Sequence, residues 1–425
     1  MKKMTSRERV RAAINHIEPD RVPIDLGASP PTGIQAGALC KLRDAYQLEK
    51  KPVKVNEPFQ VLGEVEEDVR QAVGADVVGL WSPYTFFGYK NEDWKPWRLS
   101  DGAEVLIGGG FRYKTDKNGA TYFFPGNSEN PSAIMPKGGY YFDSILRQEP
   151  VDEDDLDGKR DFKEMFSLFS DEELRAIQDQ ADEYYNNTDY SLIGNFGGMA
   201  LGDAGLLPGP GMERTPGIRK IEDWYMAHYL HPSYIKEVYD YQTEIAEQNL
   251  KLYIQAVGDK IDVIYMSGAD FGTQKAELMS CDMFREFYKP WFKKVNHMLH
   301  EKTNWKLFYH SCGSIVNLLR DFVDMEVDIL NPVQCSAAGM DPKWLKENFG
   351  DQLVFWGGAI YTQHTLARGA PEEVFREARE RLEIFSPGGG FVFNAVHNIQ
   401  HTTPVENIVA LFEAAKQFND RKGNR

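Results

Sequence analysis

The chain has 425 residues, of which 42% are hydrophobic and 26% charged, an ordinary globular mix. A formal charge of −16 with no basic face argues against nucleic acid as a partner. Four cysteines are too few for a disulfide scaffold, the start MKKMTSRERV lacks the apolar core of a secretory signal, and no apolar run reaches the roughly 18 residues that span a bilayer; a cytoplasmic protein with no membrane association is expected.

In chain order, short apolar runs predict eight strands: Val22–Leu26, Ala75–Trp81, Ser191–Phe196, Ile261–Met266, Lys306–Tyr309, Val327–Leu330, Leu353–Trp356 and Phe391–Phe393. Continuous apolar runs of this length suit parallel strands covered on both faces. Helical patterns fill the gaps over Glu64–Val73, Tyr234–Ala256, Ser314–Val323, Pro342–Glu347, Pro371–Ile384 and Thr403–Phe418. Eight such units in one domain over residues 1–425 predict an α/β fold, a (β/α)8 TIM barrel, with an open doubly wound sheet as the alternative. Residues 93–142 are rich in Gly and aromatics and carry the turn signals Ser100-Asp101-Gly102 and Lys117-Asn118-Gly119. They predict a β-rich insertion of two or three hairpins between strands two and three. The loop 202–217, punctuated by Pro and Gly, reads equally as a mobile lid and as a rigid turn.

The polar residues of interest gather where strands end, which is where such barrels keep their chemistry. Strand four runs into Asp270, with Gln274 beyond; strand five into His310-Ser311-Cys312-Gly313; strand six into Asn331, Gln334 and Cys335; strand eight into Asn394 and His397. His310 and Cys312, two apart on an extended segment, point to the same side. Imidazole and thiolate are ligands that zinc prefers, and His397 or Cys335 is the third candidate. Without a metal, His397 reads as a general acid or base and Asp270 as its charge partner. Trp81, after strand two, is a candidate wall of an apolar substrate pocket.

At these residues the chain resembles the uroporphyrinogen decarboxylase superfamily. The resemblance rests on Arg7–Pro23 (RERVRAAINHIEPDRVP), Asp270–Lys275 (DFGTQK), His310–Gly313 (HSCG), Asp328–Asp341 (DILNPVQCSAAGMD), Phe355–Gly358 (FWGG) and Phe393–Asn407 (FNAVHNIQHTTPVEN). It implies a (β/α)8 barrel and one of two activities. The decarboxylase branch grips porphyrinogen carboxylates with an arginine-rich segment near the N-terminus, and here that region reads IDLGASPPTGIQ, with no arginine. The methyltransferase branch uses a His-x-Cys pair and a later Cys as zinc ligands. His310 and Cys312 match the pair, and His397 stands where the later Cys is expected. The resemblance therefore implies a zinc-assisted methyltransferase that moves a methyl group between a small donor, such as a methoxylated aromatic, and a corrinoid on a partner protein. Asp270, Gln334, Gln274, Asn394 and Trp81 would orient the substrate. The alternative is a metal-free decarboxylase working through Asp270 and His397.

Overall fold

Apolar runs become strands wherever both faces find cover. In the computed structural model, which describes residues 3–423, seven strands form one sheet: Val77–Leu80, Ser191–Asn195, Val263–Ser267, Lys306–His310, Ile329–Asn331, Val354–Trp356 and Phe391–Val392. They are adjacent in chain order and parallel throughout. The expected first strand, Val22–Leu26, shrinks to a single parallel bridge between Ile24 and Phe393. Pro23 has no N–H to give to a ladder, and Gly27 turns the chain away at a φ of 84°. Even so, this segment touches both edges of the sheet. Asp25 N–H donates to Phe393 O at 2.9 Å, and Asp76 N–H donates to Ile24 O at 2.8 Å. The sheet thus curls into a TIM-barrel-like α/β fold.

Alternation along each strand decides what fills the interior. Val77, Ile193, Val263, Phe308, Ile329, Val354 and Val392 form one buried apolar cluster with Val10 and Ile14 of the helix Ser6–Ile14. Two residues further along each strand the same face carries Gly79, Asn195, Tyr265, His310, Asn331, Trp356 and Asn394. An apolar floor is therefore followed by a largely polar ring. Asp25 joins the ring, accepting the Trp356 Nε1–H at 2.9 Å, and burial lifts its carboxyl to about 6. Gly79 leaves room for the segment that follows Asp25: a Cβ there would stand 2.0 Å from Ala28 O.

Two smaller sheets accompany it, one mixed, in which Val53–Glu57 runs parallel to Glu104–Ile107, and one antiparallel. The pair Lys95–Arg98 and Glu104–Ile107 joins Val53–Glu57 and Leu62–Gly63, and the run Tyr113–Thr115, Thr121–Phe123, Ala133–Met135, Asp143–Ser144 forms the other. Phe87, Phe111 and Phe123 stack beside them, with Phe87 and Phe123 centroids 3.9 Å apart. The loop 202–217 is pinned to this region by Ser132 Oγ–H donating to Pro210 O and Arg147 Nη2–H to Gly209 O, both at 2.6 Å. The expected helices form, the longest over Pro232–Val257. None among the described residues is long and apolar enough to cross a membrane.

Candidate metal centre at the strand ends

The polar ring opens toward the carboxyl ends of the strands, where the side chains of His310, Cys312 and His397 meet. Their ligand atoms all lie within 4.8 Å of one another. Cys312 Sγ is 3.3 Å from His310 Nε2, and the two histidine rings stand 5.4 Å apart at 68°. A tetrahedral zinc with bonds of about 2.0–2.1 Å to nitrogen and about 2.3 Å to sulfur has an N–S edge of roughly 3.6 Å. The donor set and the His310–Cys312 spacing therefore fit a zinc held by two imidazoles and one thiolate, with a fourth position left for another ligand.

Each member is placed by its own element. His310 ends the strand Lys306–His310 and is only 6% exposed. Its Nδ1 lies 2.6 Å from Asn331 Oδ1, and Asn331 is its register partner on the neighbouring strand. Cys312 sits on the tip beyond, fixed by donation of its N–H to Asp270 Oδ1 at 2.6 Å. Burial, then Asp270, raises the thiol above its ordinary range, the expected state of a buried thiol without a cation beside it. Burial, with His310 adding to it, pushes His397 down to about 4, so its ring stays neutral at physiological pH and keeps a lone pair to offer.

Asp270 is 47% exposed in its side chain and stands at the open side of the group, its Oδ1 3.7 Å from His310 Nε2. Three of the expected substrate contacts, Gln334, Gln274 and Asn394, make hydrogen bonds within the protein. Gln334 accepts the Gly313 N–H at 2.8 Å and donates to Gln274 Oε1 at 3.0 Å. Asn394 turns inward and donates to Asp25 O at 3.0 Å. Trp81 lines a cavity of about 170 Å³ with Arg70, Trp94 and Tyr184, and no member of the His310 group lines it. Cys335 is not part of the group either. Its N–H bends back to Val333 O, and its thiol, pushed up to about 12 by burial, has Arg381 and Glu377 of the helix Pro371–Phe385 as its charged neighbours.

Sequence reasoning missed Tyr265, Asp203 and the hydrogen-bonding role of Asn331. Tyr265 and Asp203 both interact electrostatically with Asp270, and Tyr265 does so with Cys312 as well. Tyr265 was findable, since it is two residues beyond the floor residue Val263 on a strand whose period is two.

Residues 215–418, which include all three members of the group, match the uroporphyrinogen decarboxylase (URO-D) family. Uroporphyrinogen decarboxylases from three strains of Coxiella burnetii are 31% identical to this chain over 91 residues. That stretch is 20% of this chain and only 24% of those curated relatives. A methyltransferase from Methanosarcina mazei shares the fold along nearly the whole length, with a TM-score of 0.55, 18% identity, and coverage of 98% of this chain and 99% of that one. The family match thus covers residues 215–418, which carry His310, Cys312 and His397, and the likeness of barrel-like fold runs end to end.

Proposed function

We propose that the chain is a methyltransferase that moves a methyl group between a small methylated donor, such as a methoxylated aromatic, and a corrinoid carried by a partner protein. The observation that carries this reading is the meeting of His310, Cys312 and His397 with ligand atoms within 4.8 Å. Imidazole–thiolate sets are zinc sites, and three protein ligands with a free fourth position is the catalytic form. Zinc bound there supplies Lewis acidity, which polarises the heteroatom carrying the methyl group.

The chain's own residues do the rest. His397 is neutral because it is buried, so it offers a lone pair without first losing a proton. Asp270, exposed at the mouth, orients a substrate hydroxyl or holds the proton that the leaving heteroatom takes up. The apolar floor closes the inner end of the barrel, so donor and carrier meet the group from the mouth. The surplus acid of the chain, −16 overall, suits a protein partner carrying the corrinoid better than a polyanion.

Metal analysis of the purified protein beside Cys312→Ala tests this reading. We expect about one zinc per chain, held in a four-coordinate site, and loss of most of it in the variant. Methyl transfer should then require both zinc and a corrinoid protein. A protein that takes up no zinc on titration, or a variant that keeps it, overturns the proposal. A second reading, metal-free decarboxylation through Asp270 and His397, is favoured by the name of the Coxiella relatives. It predicts turnover of a carboxylated substrate that survives Cys312→Ala.

A further inference from the structure

We propose that Asn331 is the positioning residue that decides which nitrogen of His310 is offered to a metal. The inference rests on the zinc reading above for its purpose, but not for its geometry. One atom here has a role that cannot vary. The Trp356 carbonyl oxygen only accepts hydrogen bonds, so the Asn331 amide group 2.8 Å from it must be Nδ2, the donor. That choice turns Oδ1 the other way, to 2.6 Å from His310 Nδ1. An amide oxygen also only accepts, so the proton of the neutral ring sits on Nδ1. The lone pair is then on Nε2, the atom 3.3 Å from Cys312 Sγ and on the side facing His397.

The hydrogen bonds run from a backbone carbonyl to a ligand lone pair, and each group along them is buried. Asn331 is 0% exposed and His310 6%, so water does not compete for either bond. The arrangement is also set by the backbone, because His310 and Asn331 are opposite one another in a parallel ladder and the next strand ends at Trp356. A histidine ligand whose other nitrogen is held by a fixed partner is oriented and made more basic, and removal of such a partner typically costs about 10–100-fold in metal affinity.

Two variants separate this role from packing. Asn331→Leu keeps the size and removes both bonds. Asn331→Asp, protonated in its buried site, can donate to Trp356 O and accept from His310 Nδ1 as the amide does. Nitrogen NMR of isotope-labelled histidine in the metal-free protein, with His310 assigned through His310→Gln, reads the tautomer directly. We expect an Nδ1–H ring in the wild type and in Asn331→Asp, and an Nε2–H or mixed ring in Asn331→Leu. Zinc affinity, measured by competition with a chromophoric chelator, should fall about 10–100-fold in Asn331→Leu and stay near wild type in Asn331→Asp. An Nε2–H ring in the wild type, or an unchanged ring in Asn331→Leu, overturns the proposal. An Nδ1–H ring that depends on Asn331 in a protein that takes up no zinc leaves the tautomer assignment standing and removes the zinc reading instead.

Discussion

Asp203 shows at the scale of one residue how the mouth is charged. Its Oδ1 accepts the N–H groups of Gly205 and Leu206, at 2.7 and 3.1 Å, and burial lifts the carboxyl to about 6, with Asp270 adding to the effect. A carboxyl raised in the folded state and normal in the unfolded one lets stability fall as pH climbs from about 4 to about 6, because only the unfolded chain ionises freely there. Asp203→Asn retains the oxygen that takes both N–H groups and removes the charge. Urea unfolding should therefore find the variant equal to the wild type at acid pH and more stable above about pH 6. The gain should be no more than about 3 kcal/mol, since each tenfold change in proton affinity is worth ~1.4 kcal/mol. A gap that stays flat with pH would contradict this account. Asp203 was not legible in the sequence, because an Asp in a Gly-rich loop reads as a turn former. His310 and Cys312 were legible because alternation on a strand fixes their common side without any knowledge of the fold. Asn331 lay in plain view at the end of the strand Ile329–Asn331, yet its role needs the register that sets it opposite His310.

At the scale of elements, two strand tips support each other backbone to backbone. Gly313 has a φ of 87°, and a Cβ on it would stand 2.5 Å from the carbonyl carbon of Gly272. Ser314 N–H donates to Thr273 O at 2.7 Å, and Phe271 N–H donates to Ser311 Oγ at 2.9 Å, so the tip carrying Asp270 and the tip carrying Cys312 are locked together. Gly313→Ala combines backbone strain with a steric clash. We expect it to shift Cys312 and weaken zinc binding by at least about tenfold, on the scale of ligand-orienting contacts, while far-ultraviolet circular dichroism shows the barrel intact. Unchanged zinc affinity would show that the tips tolerate separation. The parallel strands were readable because burial on both faces leaves a continuous apolar run. Several helices were not. Asp171–Asn187 fully buries only Ile177 and Ala181, a stripe too thin to stand out from its acidic surroundings.

For the molecule as a whole, the far end of the barrel is held by one buried carboxylate. Asp76 accepts from Arg9 Nη1 and Arg21 Nη2, each at 2.7 Å, and from Ser6 Oγ at 2.6 Å and the Ile24 N–H at 3.1 Å. Asp20 completes the network on the other side of Arg9. The stretch Arg7–Pro23, which carries part of the family resemblance, thus serves to bind the N-terminal helix and the first barrel segment to the floor of the barrel, away from the His310 group. Asp76→Ala leaves Arg9, which is 2% exposed, without one of its two charge partners. The expected cost is about 3–5 kcal/mol in chemical denaturation, with zinc content per folded chain unchanged. A loss of zinc in the folded variant would instead link the two ends of the barrel.

The bridge between Ile24 and Phe393 has a further consequence in the order of synthesis. The segment that sits between the two sheet edges leaves the ribosome well before its partner, which is far along the chain. Until Phe391–Val392 emerges, the strand Val354–Trp356 has no neighbour on one side, and a nascent chain with the other strands of the sheet made still presents an open sheet edge, the surface on which chains pair wrongly. Asn394 and His397 arrive in the same late stretch, so sheet closure and completion of the three-residue group fall at the same moment of biosynthesis. A chain released early would lack both.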